Sequence, residues 1–135
     1  MMKMYILLFC IAVSIANCSK SAKTVTDPIP TDFTVVSQGT FTNGVHNTSG
    51  TVKLSKDPSG KKYLVFENFN TESGPDLRIW LAEDNAGKNY SEITKTVNNG
   101  TYKLEVATEV DTNTKKNVLV WCKQFSVLFG SAILK

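Results

Sequence analysis

Metal ligands are scarce in this 135-residue chain, which has three Cys, one His and three Met. Met1, Met2, Met4 and Cys10 all lie in the first ten residues. Without that leading segment one His and at most two Cys, Cys18 and Cys122, remain. A structural zinc site wants four Cys or His ligands, usually in close pairs. A blue-copper site needs two His and a Cys. A c-type haem needs Cys-x-x-Cys-His, and an iron–sulfur cluster usually needs four Cys. The composition supplies none of these sets. Long apolar runs are equally scarce: there is one, it is N-terminal, and a multi-span membrane protein is excluded. Net charge is only +3 and scattered, which points away from nucleic acid as a partner. What remains is 41% hydrophobic and 20% charged residues. That is an ordinary globular balance, on a length that suits one domain.

The apolar run, Tyr5 to Ile15, follows Lys3, the only charge before residue 20. It is shorter than the roughly 20 residues a membrane-spanning helix needs. A basic start and a short apolar core are the layout of a secretory signal peptide. The run ends in Ile15-Ala16-Asn17-Cys18, followed by Ser19-Lys20, which resembles a lipobox whose Cys is lipidated and becomes the first mature residue. Asn17 departs from the Gly, Ala or Ser usual at its position, and a plain signal peptide ending near a Cys is the alternative. On the lipobox reading residues 1–17 are the signal peptide. Residues 18–32 are the lipidated Cys and a flexible tether, and residues 33–135 form the domain. The mature chain has 118 residues and a net charge of +2. Acyl chains on Cys18 would hold it to a membrane outside the cytoplasm, at the cell envelope. Ser19–Asp32 is rich in Lys, Ser, Thr and Pro and has no hydrophobic period, as expected of a tether.

From Phe33 onward apolar residues alternate or form short blocks bounded by Gly, Asn, Asp and Pro. No stretch sustains a helical period. Strands are expected near 34–42, 45–55, 62–69, 76–82, 90–97, 100–107, 117–122 and 125–134. Asn99-Gly100 between two alternating runs is a hairpin signal. The fold class is therefore all-β, a single antiparallel β-sandwich of roughly eight strands. Tyr63–Phe66 and Val118–Cys122 are apolar on both alternating faces, which predicts central strands. Cys122 shares a face with Val118 and Val120, and Leu119 and Trp121 share the other. Gly130, inside the last strand, predicts a bulge or a close backbone approach.

Several segments, in order, resemble the DM-thirteen domain. They are Gly39-Thr40-Phe41, His46–Val52, Leu64–Phe69, Gly74-Pro75-Asp76-Leu77 through Leu81, Tyr102-Lys103-Leu104 and Val120–Ala132. The most specific are the GPDL turn and the tail WCKQFSVLFGSA. This is a small secreted β-domain found alone in bacterial proteins and beside other modules in animal proteins. The resemblance covers roughly Gly39 to Leu134 and implies a β-sandwich-like fold. It also implies an electron-transfer or redox role tied to a cysteine that corresponds here to Cys122.

Read from the residues, Cys122 has two roles open to it. With Cys18 lipidated it is an odd thiol in an extracytoplasmic protein. It can exchange with a partner disulfide, or it can be core, because buried free Cys behaves as a small hydrophobe. Lys123, which would lower its pKa, is expected on the opposite face. His46, the only imidazole, is either a general base or a structural ring bonded to a carbonyl or carboxylate. No local signature makes His46 and Cys122 a base–nucleophile pair. Asp76 is expected to fix its turn through backbone N–H bonds; with Glu67 it is also a cation candidate, without the oxygen count calcium wants. Trp121, like Trp80, is a candidate ligand platform or sheet packing. Phe125, Val127, Leu128 and Phe129 are expected in the core; exposed, they would form a binding patch. The sequence names no cofactor, metal or catalytic residue. The expected function is a non-enzymatic binding or interaction module at the envelope, its partner an envelope protein. The alternative is a thiol redox module using Cys122, with a redox partner.

Overall fold

The computed structural model describes residues 24–26 and 28–135. The expected signal peptide, Cys18 and the first part of the tether lie outside the described residues. Ten strands form two five-stranded sheets packed face to face, with no helix among the described residues. The strands are β1 Thr24–Thr26, β2 Thr34–Thr40, β3 Thr42–Asn43, β4 Thr48–Lys56 and β5 Lys62–Thr71. They continue as β6 Leu77–Ala82, β7 Ser91–Thr94, β8 Asn99–Val106, β9 Asn117–Cys122 and β10 Val127–Ile133. One sheet has the order β1-β8-β5-β4-β2 and the other β3-β10-β9-β6-β7. Every pairing is antiparallel except the parallel edge pair of β1 with β8.

The eight expected strands are all present, and two short ones join them. β3 exists because the chain leaves one sheet for the other at Phe41. That ring is buried in the core and splits the single strand expected over 34–42. β1 arises inside the segment read as tether. Its sequence is only Thr-Val-Thr, and main-chain pairing with Asn99–Thr101 holds it in register.

β5 and β9 are the middle strands of their sheets, as their two-faced apolar pattern requires. Leu64 and Phe66 of β5 and Val118, Val120 and Cys122 of β9 point between the sheets into the main core. Phe41, Phe66, Phe69 and Tyr102 form an aromatic group there, with Phe66 stacked on Tyr102 at 4.8 Å. The other face of β9 carries Leu119 and Trp121. With Trp80, Ala82 and Leu128 they form a second, smaller cluster on the outside of the sheet. The loop after β6 closes over it: Gly87 lies against the Trp80 ring, where a Cβ would sit 3.4 Å from Cζ3.

Two local expectations fail. Asn99-Gly100 is not a hairpin, because β7 and β8 belong to different sheets. Both residues are inside β8 instead. The Asn99 side-chain amide accepts from the Thr71 N–H at 2.9 Å and donates to the Thr71 carbonyl at 3.1 Å. It thus serves the Thr71 backbone just beyond Phe69 and Gly100, the last register pair of β5 with β8. Phe125 does not line the last strand. The β9–β10 reversal takes up Lys123–Ser126, with Ser126 at φ 53°, and leaves Phe125 63% exposed. Gly130 fulfils both of its expectations. The β9–β10 register slips between Leu128 and Gly130, and a Cβ on Gly130 would fall 2.4 Å from the Thr48 side chain.

Candidate functional site

The strand registers gather the residues singled out in the sequence at one end of the sandwich. Thr48 stands opposite Thr71, Phe69 opposite Gly100, and Leu77 and Val127 flank Cys122. The loops 44–47, 72–76, 95–98 and 123–126 therefore leave the sheets together.

His46 precedes β4 and Glu72 follows β5. Their sequence separation of 26 closes to a 2.8 Å contact between His46 Nδ1 and Glu72 Oε2. The Asn47 N–H donates to the other Glu72 oxygen at 3.1 Å. These two bonds, the imidazole's first, hold the Glu72 carboxyl below its usual range. The other side of the imidazole lies on Phe129, with ring centroids 3.9 Å apart. A ring held by a carboxylate at Nδ1 and by an aromatic face is oriented but has no nucleophile beside it. Among the described residues no hydrogen bond or ring contact joins it to Cys122.

Below it the hydroxyls of Thr48 and Thr71 meet at 3.2 Å, both residues buried. Asn43 caps the start of β4 through the Thr48 N–H, at 2.9 Å. These polar residues satisfy the backbone where two sheets meet without a regular ladder.

Asp76 works differently from the expected turn. Its carboxylate accepts from Arg78 Nε at 2.6 Å, and its backbone carbonyl accepts the Lys123 N–H at 2.9 Å. Arg78 also reaches Glu92, which in turn accepts from Trp80 Nε1 at 3.4 Å. The bond to Asp76 holds the guanidinium pKa up and keeps it charged. Sequence reasoning passed over Arg78 and Glu92. The available signal was the i, i+2 spacing of Asp76 and Arg78, which puts both on one strand face.

Between the GPDL loop and the β7–β8 loop lies an open cleft of about 650 Å³. Glu72, Pro75, Asp76 and Leu77 line one side and Lys95 and Asn98 the other. Its groups are hydrogen-bonding side chains beside a small apolar patch of Pro75, Leu77 and Val97. Leu77 lines the cleft and also pairs with Cys122.

Cys122 is free and has no exposed surface. It belongs to the main core with Leu77, Val127 and Phe129. Trp121, on the opposite face and half-buried, stacks on Trp80 at 5.0 Å, and Trp80 stacks on Tyr90 at 3.7 Å. The middle ring is thereby covered on both sides, so Trp80 offers no platform to a ligand. Tyr102 Oη is the one buried side-chain polar atom without a hydrogen bond among the described residues. Burial pushes its pKa well up, and the Asn98 backbone only partly opposes this. Among the described residues no group of three or more His, Cys, Asp or Glu is gathered as a metal site.

The family described as electron transfer DM13 matches the chain over residues 40–134. No curated protein and no solved structure matches it.

Proposed function

This chain belongs to the DM13 family, and from that premise we propose that it is a cell-envelope lipoprotein carrying a non-enzymatic binding module. The observation that carries the second half is the burial of Cys122. A thiol exchanges through its thiolate and must meet the attacking or attacked sulfur. A side chain with no exposed surface, in the central strand of a sheet, cannot do so in the folded protein. The cleft at the loop end, with amide, hydroxyl and charged groups beside a small apolar patch, is where we place the ligand. The lipoprotein half is supported by the basic start, the short apolar run and Cys18.

The test is alkylation of Cys122 in the mature protein, folded and in denaturant, across pH. Labelling that waits for unfolding supports the binding reading. Labelling of the folded state, with a midpoint below the free-thiol value of about 8.5, refutes it.

One observation favours a second reading, an electron-transfer module using Cys122. Trp121, the residue before Cys122, begins the stacked column that ends at Tyr90, which is 46% exposed. Such a column would let an electron leave a thiol that no reagent touches. A one-electron oxidant in solution would then oxidise Cys122 in the folded protein, and an unoxidised thiol removes this reading.

A further inference from the structure

The loop end has a second property, and it depends on where the chain enters the domain. β1 runs parallel to β8 with Thr24 opposite Asn99, so the chain enters at the end where β8 begins. That is the end of the cleft, of His46 and of the β9–β10 reversal. Cys18 precedes Thr24 by six residues. At about 3.3–3.6 Å per residue these six residues reach at most about 22 Å. The ten residues of β5 alone span about 33 Å from one end of the sandwich to the other. A lipid on Cys18 therefore holds this end close to the bilayer, whereas the far end can stand well clear of it.

The same end carries unexplained apolar surface. Among the described residues six large hydrophobics are exposed, and the two most exposed of these are Val45 at 65% and Phe125 at 63%. Both are in its loops. Phe125 tops the β9–β10 reversal, and Val45 sits against the start of β10 through its N–H bond to the Leu128 carbonyl. Lys123 and Lys95, exposed in neighbouring loops, are in no ion pair among the described residues. The acids of this end are engaged, Glu72 by His46 and Asp76 by Arg78. Lys20 and Lys23 add two cations to the connecting residues.

We propose that this end of the sandwich rests on the membrane that holds Cys18. Phe125 and Val45 enter the interface, and Lys123 and Lys95 face anionic headgroups. The proposal rests on the lipoprotein reading above. An aromatic ring and an aliphatic side chain at headgroup depth bury apolar surface that the fold leaves in water. Lysines beside them gain from the surface potential. The acyl chains supply the affinity, and the loop end sets the orientation.

The experiment uses the full lipidated chain on vesicles of phosphatidylethanolamine and phosphatidylglycerol doped with brominated phosphatidylcholine. Flotation is measured first, because it tests the anchor alone. Phe125→Trp is then compared with Val36→Trp, an exposed position in β2 at the far end, each corrected for the emission of the parent protein. The expected result is a shift to shorter wavelength and bromine quenching for Phe125→Trp, with Val36→Trp unchanged. If the protein floats and the two variants respond alike, the orientation is refuted and the anchor stands. If it does not float, the lipoprotein reading fails and this proposal falls with it.

Discussion

Replacing Cys122 by Ser and by Ala separates a core thiol from a working one. At an accessible thiol Ser is the milder change, and both substitutions fall within about 0.5 kcal/mol of neutral. At Cys122 the order should reverse. The side chain has no exposed surface and lies among Leu77, Val127 and the rest of the main core. Ala removes one sulfur and leaves a void of methyl size, which costs about 1 kcal/mol. Ser keeps more of the volume but brings a hydroxyl into an apolar site, at a cost of about 1–3 kcal/mol if it finds no partner. Ser should therefore be less stable than Ala by up to about 2 kcal/mol. At roughly 4 °C per kcal/mol for a domain of this size, that is a separation of up to about 8 °C in Tm. Differential scanning calorimetry of the three proteins reads it directly.

The same burial fixes a rate. If Cys122 is exposed only by global unfolding, a stability of about 5 kcal/mol leaves about one molecule in 5,000 open. Alkylation of the folded protein should then be slower than in denaturant by at least that factor. Opening of the GPDL loop alone would give a much smaller factor, independent of destabilising substitutions elsewhere. A Ser variant as stable as the Ala variant, together with labelling of the folded protein near the denatured rate, refutes the reasoning.

Three further outcomes follow from the same end of the fold. Gly130→Ala would place a Cβ 2.4 Å from the Thr48 side chain and 2.8 Å from the Thr42 carbonyl oxygen. It should lose about 1–3 kcal/mol in a urea titration. Asn99→Ala strips the Thr71 N–H and carbonyl of their partners and should cost about 1–3 kcal/mol by the same measurement. Glu72→Gln tests the imidazole pair through pH. Its folded pKa lies below the ordinary value of 4.5, so its contribution is present above that value and is lost as pH falls through the folded pKa. The Tm gap between parent and variant should be open at neutral pH and close in acid.

The strand plan was legible because each main strand carries its burial on its sequence. Two-faced apolar runs marked β5 and β9 as central, and alternation put Cys122 and Trp121 on opposite faces. What alternation could not show was where it stops. Phe125 keeps the period of Val127 and Phe129, yet the chain needs four residues to reverse and Phe125 is one of them. Asn99-Gly100 has the right local chemistry for a turn, but the Asn99 amide pairs with a strand 28 residues away. β1 has no apolar residue pattern because an edge strand can be held by main-chain bonds. The His46–Glu72 and Arg78–Glu92 pairs are products of the folded register and leave no mark at short range.

Most of the segments that carry the DM13 resemblance prove to constrain one another in space. Gly130 leaves room for Thr48, and Gly74 for Leu77 and the Phe129 ring. Gly50, at φ 101°, lies against Asn68 and Phe69, and His46 lies on Phe129. Asp76 binds the backbone of Lys123, and Cys122 packs beneath Leu77. Packing accounts for these residues without any ligand. It does not account for Phe125, Lys123 and Pro75, which belong to the same segments and face water. A fold gains nothing by exposing a phenyl ring near a lysine that has no ion pair among the described residues, at the end where its chain enters. The functional surface of this domain is therefore better sought at those exposed loop residues and the cleft beside them than at the buried thiol.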